Sequence, residues 1–154
     1  MAVLLEAPGL LLLRTDRHRV ITWSSRSLAE SVGWSTTELV GRKVADFLDP
    51  GYRDATEAAR NAFYERGESS GWHTFAWRTP DGGRRILSGL PLPVHDDEGL
   101  VRGSVAVLRD ITTQFEAEAL LRGVLDSLPD PLAVLSPVFD ASGSLTDLVY
   151  VAIN

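Results

Sequence analysis

The sequence predicts an α+β domain built on a five-stranded antiparallel sheet, with short helices and one longer helix on one face and a further C-terminal helix. Three observations support this fold class. Two short apolar segments come first, a segment with helical periodicity follows, and three later segments alternate with a period of two. Gly, Pro and Asp residues separate these segments, as they do at turns.

The first two strands are predicted to form a hairpin. Residues 10–15 are a short apolar run, residues 16–19 are polar, and residues 20–23 are rich in β-branched and aromatic side chains. The segment that follows has short helical pieces, which Gly33 and Gly41 interrupt.

Two helix starts are predicted from capping residues. Ser35 and Glu38 have the spacing of a capping box, in which the two side chains satisfy N–H groups at the start of a helix. Asp49 and Pro50 are the cap and the first residue of a longer helix, which Gly67 ends. Arg60 is predicted to lie off the apolar stripe of this helix, which consists of Tyr52, Ala55, Ala59, Ala62 and Phe63.

Three strands and two tight turns are predicted after residue 71. Pro91 and Pro93 are expected to end or bulge the middle strand, because proline cannot donate to a sheet ladder. The predicted strands are residues 72–78, 84–92 and 101–108, and the turns between them are Pro80–Gly83 and Asp96–Gly99.

Composition excludes several classes of function. The 154-residue chain has 15 basic and 21 acidic side chains, and its net charge of −6 argues against a nucleic-acid surface. The chain contains no Cys, which excludes disulfides, thiolate metal sites and cysteinyl-flavin photochemistry. No segment approaches the roughly 18 apolar residues of a membrane span, so a cytoplasmic location without a membrane segment is expected.

No catalytic or metal-binding constellation is present in the sequence. The serine-rich segments lack a Gly-x-Ser-x-Gly elbow, and the histidines have no metal-ligand spacing. We therefore predict no catalytic residues and no metal site. Any enzymatic activity is expected to lie beyond residue 154.

Four segments of the sequence, in order along residues 9–112, resemble the PAS sensory family. This resemblance implies a PAS fold and a bacterial-type sensory role in signal transduction. The four segments are Gly33-Trp34-Ser35-Thr36-Thr37-Glu38-Leu39-Val40-Gly41-Arg42, Asp81-Gly82-Gly83-Arg84-Arg85, Asp96-Asp97-Glu98-Gly99 with Val101, Gly103 and Val105 after it, and Asp110-Ile111-Thr112.

The resemblance also assigns expected roles to individual residues. Asp110, Ile111 and Thr112 would relay a signal into the following helix, with Asp110 joining the sheet to that helix. Ser25 stands where many relatives carry Asn, and its hydroxyl is expected to retain the helix cap. None of the three histidines lies on the longer helix, where haem-binding relatives keep their iron ligand, so haem is not expected.

The domain organisation is predicted as four parts. Residues 1–8 are a leader, 9–112 the PAS domain, 113–128 a linker or signalling helix, and 129–154 the truncated first hairpin of a second PAS-like domain. Such a hairpin implies a longer multidomain protein. The helix is expected either to pack on its own domain or to form a homodimer through Ala117, Leu121, Val124 and Leu128.

A pocket is predicted between the sheet and the helices. The same residues also suit an ordinary apolar core, so a ligand site and a core both stay open, and the cofactor or ligand is unknown. The predicted lining residues are Trp23, Phe47, Phe63, Phe75, Trp77, Ser88 and Val105.

Two functions are consistent with these features. The first is a sensory module that detects a small ligand or another signal and relays it through the C-terminal helix. The second is a ligand-free PAS module that serves dimerisation. An enzyme is the third class, and no constellation in the sequence supports it.

Overall fold

The computed structural model describes residues 10–67, 69, 71–128 and 133–153. The chain divides after Thr112 into two compact units. The predicted leader at residues 1–8, the Pro129–Pro131 helix stop and Asn154 lie outside the described residues.

The first unit has the predicted α+β architecture. Its sheet has five antiparallel strands in the order β2-β1-β5-β4-β3, and its helices follow β2. The fold class predicted from the sequence is confirmed. The elements are β1 (Leu11–Asp16), β2 (Ile21–Ser24), α1 (Arg26–Val32), α2 (Thr36–Leu39), a 3-10 turn (Val44–Asp46), α3 (Pro50–Arg66), β3 (His73–Arg78), β4 (Arg84–His95) and β5 (Val101–Asp110).

Strand β4 corrects the prediction that the prolines end or bulge this strand. The strand continues through Pro91 and Pro93, which pair with Ala106 and Ser104 of β5. Its pairing with β3 ends at Gly89, so beyond that residue the strand has a neighbour on one side only. Proline is tolerated there because its missing N–H leaves no ladder bond unmade. The irregularity in the register comes later, between Val94 and His95.

The predicted helix caps are confirmed. The Ser35 and Glu38 side chains form the capping box of α2. Asp49 caps α3, Pro50 is its first residue, and Gly67 ends it with a positive φ of 67°. The Ser25 hydroxyl caps α1 by accepting a hydrogen bond from the backbone N–H of Leu28.

The core of this unit lies between the sheet and the short helices. Leu28, Val32 and Leu39 of the helices are fully buried against it. The sheet contributes residues that alternate along its strands, because side chains on one face recur with a period of two. These are Leu11, Leu13, Ile21, Phe75, Trp77, Leu87 and Leu108.

The second unit contains a helix and a hairpin. Helix α4 spans Thr112–Ser127, and β6 (Ala133–Phe139) pairs antiparallel with β7 (Leu145–Ile153). The hairpin predicted in this region is therefore present. Leu121, Val124 and Leu128 of the predicted dimer stripe are 46%, 49% and 38% exposed, and Ala117 is also exposed. None of the helices that the structure describes is both long and apolar enough to cross a membrane.

Candidate functional site

A cavity of about 160 Å³ lies between α3 and the inner face of the sheet. Helix α3 contributes one face, and β1, β3, β4 and β5 contribute the opposite wall. The lining residues are Leu13, Thr15, Arg19, Val44, Tyr52, Ala55, Thr56, Ala59, Arg60, Phe63, Tyr64, His73, Thr74, Phe75, Trp77, Gly89, Pro91, Ser104, Ala106 and Leu108.

Small residues on both walls create this space. Ala55 and Ala59 lie on the cavity side of α3, and Ala106 and Gly89 lie on the sheet opposite. A Cβ on Gly89 would come within 2.7 Å of the Leu108 side chain and 3.1 Å of the Phe75 ring. A Cβ at position 89 would therefore push against the Leu108 and Phe75 side chains where they meet at the cavity wall.

The aromatic part of the wall is a stack of rings. Trp77 is fully buried, and its ring is parallel to that of Phe47 at a centroid distance of 5.1 Å. The Arg42 guanidinium lies 4.4 Å from the centroid of Phe47. Phe47 therefore supports Trp77 from behind, and the stack holds the Trp77 indole in one orientation.

Polar groups of the wall are mostly paired within the protein. Thr15 and Ser104 share a hydrogen bond of 2.9 Å, and the Tyr64 hydroxyl donates to the backbone carbonyl of Asp16 at 3.0 Å. The Trp77 Nε1–H is an exception, since it is buried and no acceptor among the described residues lies within hydrogen-bond distance. A buried donor without a partner is costly.

Hydrogen bonds around Asp110 join the end of the sheet to Thr112, the first residue of helix α4. The Asp110 Oδ1 accepts hydrogen bonds from the backbone N–H and the hydroxyl of Thr112. Its Oδ2 accepts one from the Ser31 hydroxyl of α1 at 2.9 Å. Ile111 donates its N–H to the carbonyl of Ile86 on β4, and the Ile86 N–H donates to the Thr112 hydroxyl, both at 2.9 Å.

The ionisation of Asp110 reflects these contacts. Partial burial favours the neutral carboxyl, but hydrogen bonds from Thr112 and Ser31 favour the carboxylate more strongly. The pKa of Asp110 is therefore lowered below its ordinary value. The residue is a carboxylate at neutral pH and can hold the start of α4 by accepting from its backbone.

A family model described as PAS fold matches residues 5–115, which is most of the chain. The chain belongs to the PAS fold family. PAS domains are sensory modules of signalling proteins, so this assignment gives the chain a regulatory rather than a catalytic domain. No curated protein matches the chain.

Solved structures share the fold at low sequence identity. A PAS domain from Colwellia psychrerythraea has a TM-score of 0.66 at 17% identity, covering 73% of this chain and 94% of its own. A sensory box histidine kinase/response regulator from Burkholderia thailandensis has a TM-score of 0.63 at 18% identity, and the match covers 77% of this chain and 88% of that one. The N-terminal domain of a diguanylate cyclase with PAS/PAC sensor from Marinobacter aquaeolei has a TM-score of 0.61 at 14% identity, and the match covers 69% of this chain and 98% of that one.

The structure brings together three of the predicted pocket residues of this PAS domain. Phe63, Phe75 and Trp77 line the cavity. Phe47 does not line it, but its ring stacks on Trp77 directly behind the wall.

The other three predicted pocket residues lie on the opposite face of the sheet. Ser88 pairs with Thr74 and Arg109, Val105 pairs with Arg14 and Leu92, and Trp23 also pairs with Arg14. Val105 lies between Ser104 and Ala106, whose side chains line the cavity, and alternation along β5 places it on the other side. Residue type alone therefore did not identify which residues line this cavity.

Several cavity residues were not predicted. Arg60 was placed off the apolar stripe of α3, yet it lines the cavity beside Ala59. His73, Arg19, Tyr64 and the Thr15–Ser104 pair also contribute to the wall. The period-two pattern of β5 could have identified Ser104 and Ala106, but the position of Arg19 depends on a turn whose geometry the sequence pattern does not specify.

Proposed function

We propose that this PAS domain is the sensory module of a cytoplasmic signalling protein, and that it binds a small ligand in the cavity between α3 and the sheet. Occupancy would be relayed through Asp110, Ile111 and Thr112 into α4 and on to an effector outside residues 1–154. The observation that carries the proposal is that the cavity wall and the relay are built from the same two strands.

On both strands only two or three residues separate a residue of the cavity wall from a residue of the relay. Leu108 lines the cavity two residues before Asp110 on β5. On β4, Gly89 lines the cavity three residues after Ile86, which bonds both Ile111 and Thr112. A ligand that moves the Leu108 side chain therefore acts on a strand whose end holds the first turn of α4.

The relay requires two arrangements of this strand end with different affinity for the ligand. In one arrangement the Asp110 carboxylate accepts from both Ser31 and Thr112, as described above. In the other, one of these hydrogen bonds is lost and the first turn of α4 is released. A ligand that fits the cavity better in one arrangement shifts the balance between them.

Replacing Asp110 by Ala in the full-length protein tests the relay. We expect the output of the protein to lose its response to the signal while the domain stays folded, because the carboxylate contacts lie outside the core. Asp97→Ala is the matched control, since Asp97 is an exposed turn residue. If Asp110→Ala responds to the signal as strongly as wild type and Asp97→Ala do, the relay is contradicted.

The second candidate function is a ligand-free PAS module that dimerises through α4. The observation that favours it is the exposed apolar stripe at Leu121, Val124 and Leu128. Sedimentation of Leu121→Glu and Val124→Glu against wild type tests it, with Arg122→Glu as a control that introduces the same side chain on another face of the helix. A dimer that only the first two variants dissociate supports this function, and equal sedimentation of all four proteins contradicts it.

We also propose that residues 113–128 are a signalling helix and that residues 129–154 begin a second PAS-like domain. The support is the antiparallel pairing of β6 with β7, which repeats the arrangement of β1 and β2. The sequence that follows residue 154 in the parent gene is the test. Short helices and three further strands are expected there, and a segment of another fold contradicts the proposal.

A further inference from the structure

We propose that the ligand of the cavity is an uncharged aromatic molecule of one ring, of the size of toluene. This inference rests on the proposed function, in that it names the chemical class which the same cavity would bind. Three properties of the cavity define the class: its volume, the pairing of its polar side chains within the protein, and the aromatic rings of its wall.

The volume limits the ligand to about one ring. An apolar cavity of about 150 Å³ accommodates benzene, whereas sites for drug-sized ligands usually enclose about 300 Å³ or more. At about 160 Å³ the cavity has room for a six-membered ring with a small substituent. A three-ring flavin or a porphyrin exceeds this volume.

Four hydroxyl groups of the wall already have partners in the protein. The hydroxyls of Thr15 and Ser104 bond to each other at 2.9 Å. The Thr56 hydroxyl donates to the backbone carbonyl of Tyr52 at 2.6 Å, and the Tyr64 hydroxyl also donates to a backbone carbonyl. A polar ligand would gain little from these groups, because it would exchange one hydrogen bond for another.

The basic side chains of the wall are likewise engaged within the chain. Arg19, Arg60 and His73 each interact with other groups of the protein, so none of them needs a partner from a ligand. None of the described lining side chains is acidic. A charged ligand would have to leave water and compete for side chains that already have interactions, which is costly. An uncharged ligand avoids this cost.

Aromatic rings line the cavity from both of its walls. Phe63 belongs to α3, and Phe75 and Trp77 belong to β3 on the sheet opposite. The Phe75 and Trp77 rings have centroids 6.4 Å apart and planes inclined at 49°, so they present differently oriented surfaces. Contacts between aromatic rings stabilise beyond the area that they bury. The wall therefore favours an aromatic ring over a saturated one of the same size.

Titration of the purified chain with toluene, methylcyclohexane, benzoate and benzylamine, followed by NMR, tests the proposal. Methylcyclohexane keeps the size and the apolar surface without the aromatic ring, whereas benzoate and benzylamine keep the ring and add a charge of either sign. We expect toluene to bind about twofold to tenfold more tightly than methylcyclohexane, because only toluene makes aromatic contacts. Benzoate and benzylamine should each bind at least about tenfold more weakly than toluene, because their charge must leave water.

Two variants of α3 locate the binding site. Ala59 lines the cavity, and Ala59→Phe fills the space with a ring of the protein's own, so toluene should bind at least about tenfold more weakly. Ala58→Phe is the matched control, because Ala58 is the neighbouring residue, is exposed and does not line the cavity. Its toluene affinity should equal that of wild type. The wild-type series decides the chemical class even if Ala59→Phe fails to fold.

The outcomes distinguish this inference from the proposed function. Benzoate, benzylamine or methylcyclohexane binding as tightly as toluene overturns the assignment to an uncharged aromatic molecule and leaves ligand binding by the PAS domain standing. Toluene binding equally to folded Ala59→Phe and to wild type also overturns it, because the site then lies outside the cavity. If none of the four compounds binds, the proposed class is wrong. Ligand sensing is then decided separately, by native mass spectrometry of the purified chain and by the Asp110→Ala variant.

Discussion

Two glycines of the sheet show how single residues determine local packing. Gly89 allows Phe75 and Leu108 to meet at the cavity wall, and Gly103 allows β5 to approach the backbone of β1 at Thr15. A Cβ on Gly103 would overlap the backbone carbonyl oxygen of Thr15. The atoms that a Cβ would meet belong to side chains at Gly89 and to the backbone at Gly103. The two positions should therefore differ in how well they tolerate alanine.

We expect Gly103→Ala to destabilise the domain more than Gly89→Ala. Overpacking against side chains costs about 1–3 kcal/mol, and at Gly103 the backbone pairing of β1 and β5 must shift as well. Urea unfolding of the two variants measures the difference. Gly123→Ala is the control, because nothing lies within 4 Å of its Cβ position and alanine favours a helix. Equal stability of the Gly103 and Gly89 variants would show that β5 can move away from β1 at little cost.

Asp110 is the residue whose ionisation should influence stability. Its pKa is lowered in the folded protein, so its contribution is complete above the pKa of the unfolded chain and is lost as the pH falls through the folded value. We expect Asp110→Asn to lower the unfolding free energy at pH 7 by up to about 1 kcal/mol, since solvent screens a partly exposed carboxylate. The difference from wild type should shrink in acid. Urea titrations at several pH values measure it, and a pH-independent difference contradicts the assignment.

At the scale of elements, periodicity and caps made most of the first unit predictable. Ser35, Asp49 and Gly67 are local signals, and each ends or starts a helix where it was expected. The continuation of β4 was harder to predict, because a strand tolerates proline only where no neighbouring strand needs its N–H. Whether such a strand is present depends on where β3 ends. The face of Ser88 and Val105 was missed for the same reason, since side-chain type does not determine register.

The cap of α1 gives a prediction at this scale. The Ser25 hydroxyl accepts hydrogen bonds from the N–H groups of Leu12 and Leu28 and donates to the carbonyl of Leu10, so it joins α1 to β1. We expect Ser25→Ala to cost about 2 kcal/mol, because it leaves buried backbone groups without partners. Ser35→Ala, at an exposed cap, should cost about 1 kcal/mol. Thermal unfolding compares the two, and an equal loss would mean that the Leu10 and Leu12 contacts contribute nothing.

At the scale of the molecule, the fold was predictable and the interior of the cavity was predictable only in part. The order of elements and the four family segments were sufficient for the PAS assignment. The cavity required the side chains of α3 to face those of β1, β4 and β5, which lie far apart in the sequence. Arg19 and Trp77 therefore acquired their shared surroundings only from the three-dimensional arrangement.

The relay is the central claim, and hydrogen exchange at its amides tests it most directly. The Ile111 and Thr112 amides would be followed by NMR in wild type and in Ala59→Phe, which fills the cavity in place of a ligand. We predict that Ala59→Phe changes exchange at both amides by severalfold, because the added ring displaces the Leu108 wall of β5. The Gly99 amide, in a turn outside the relay, should be constant in both proteins. Exchange at Ile111 and Thr112 that is the same in Ala59→Phe as in wild type, with the domain folded in both, would contradict the account.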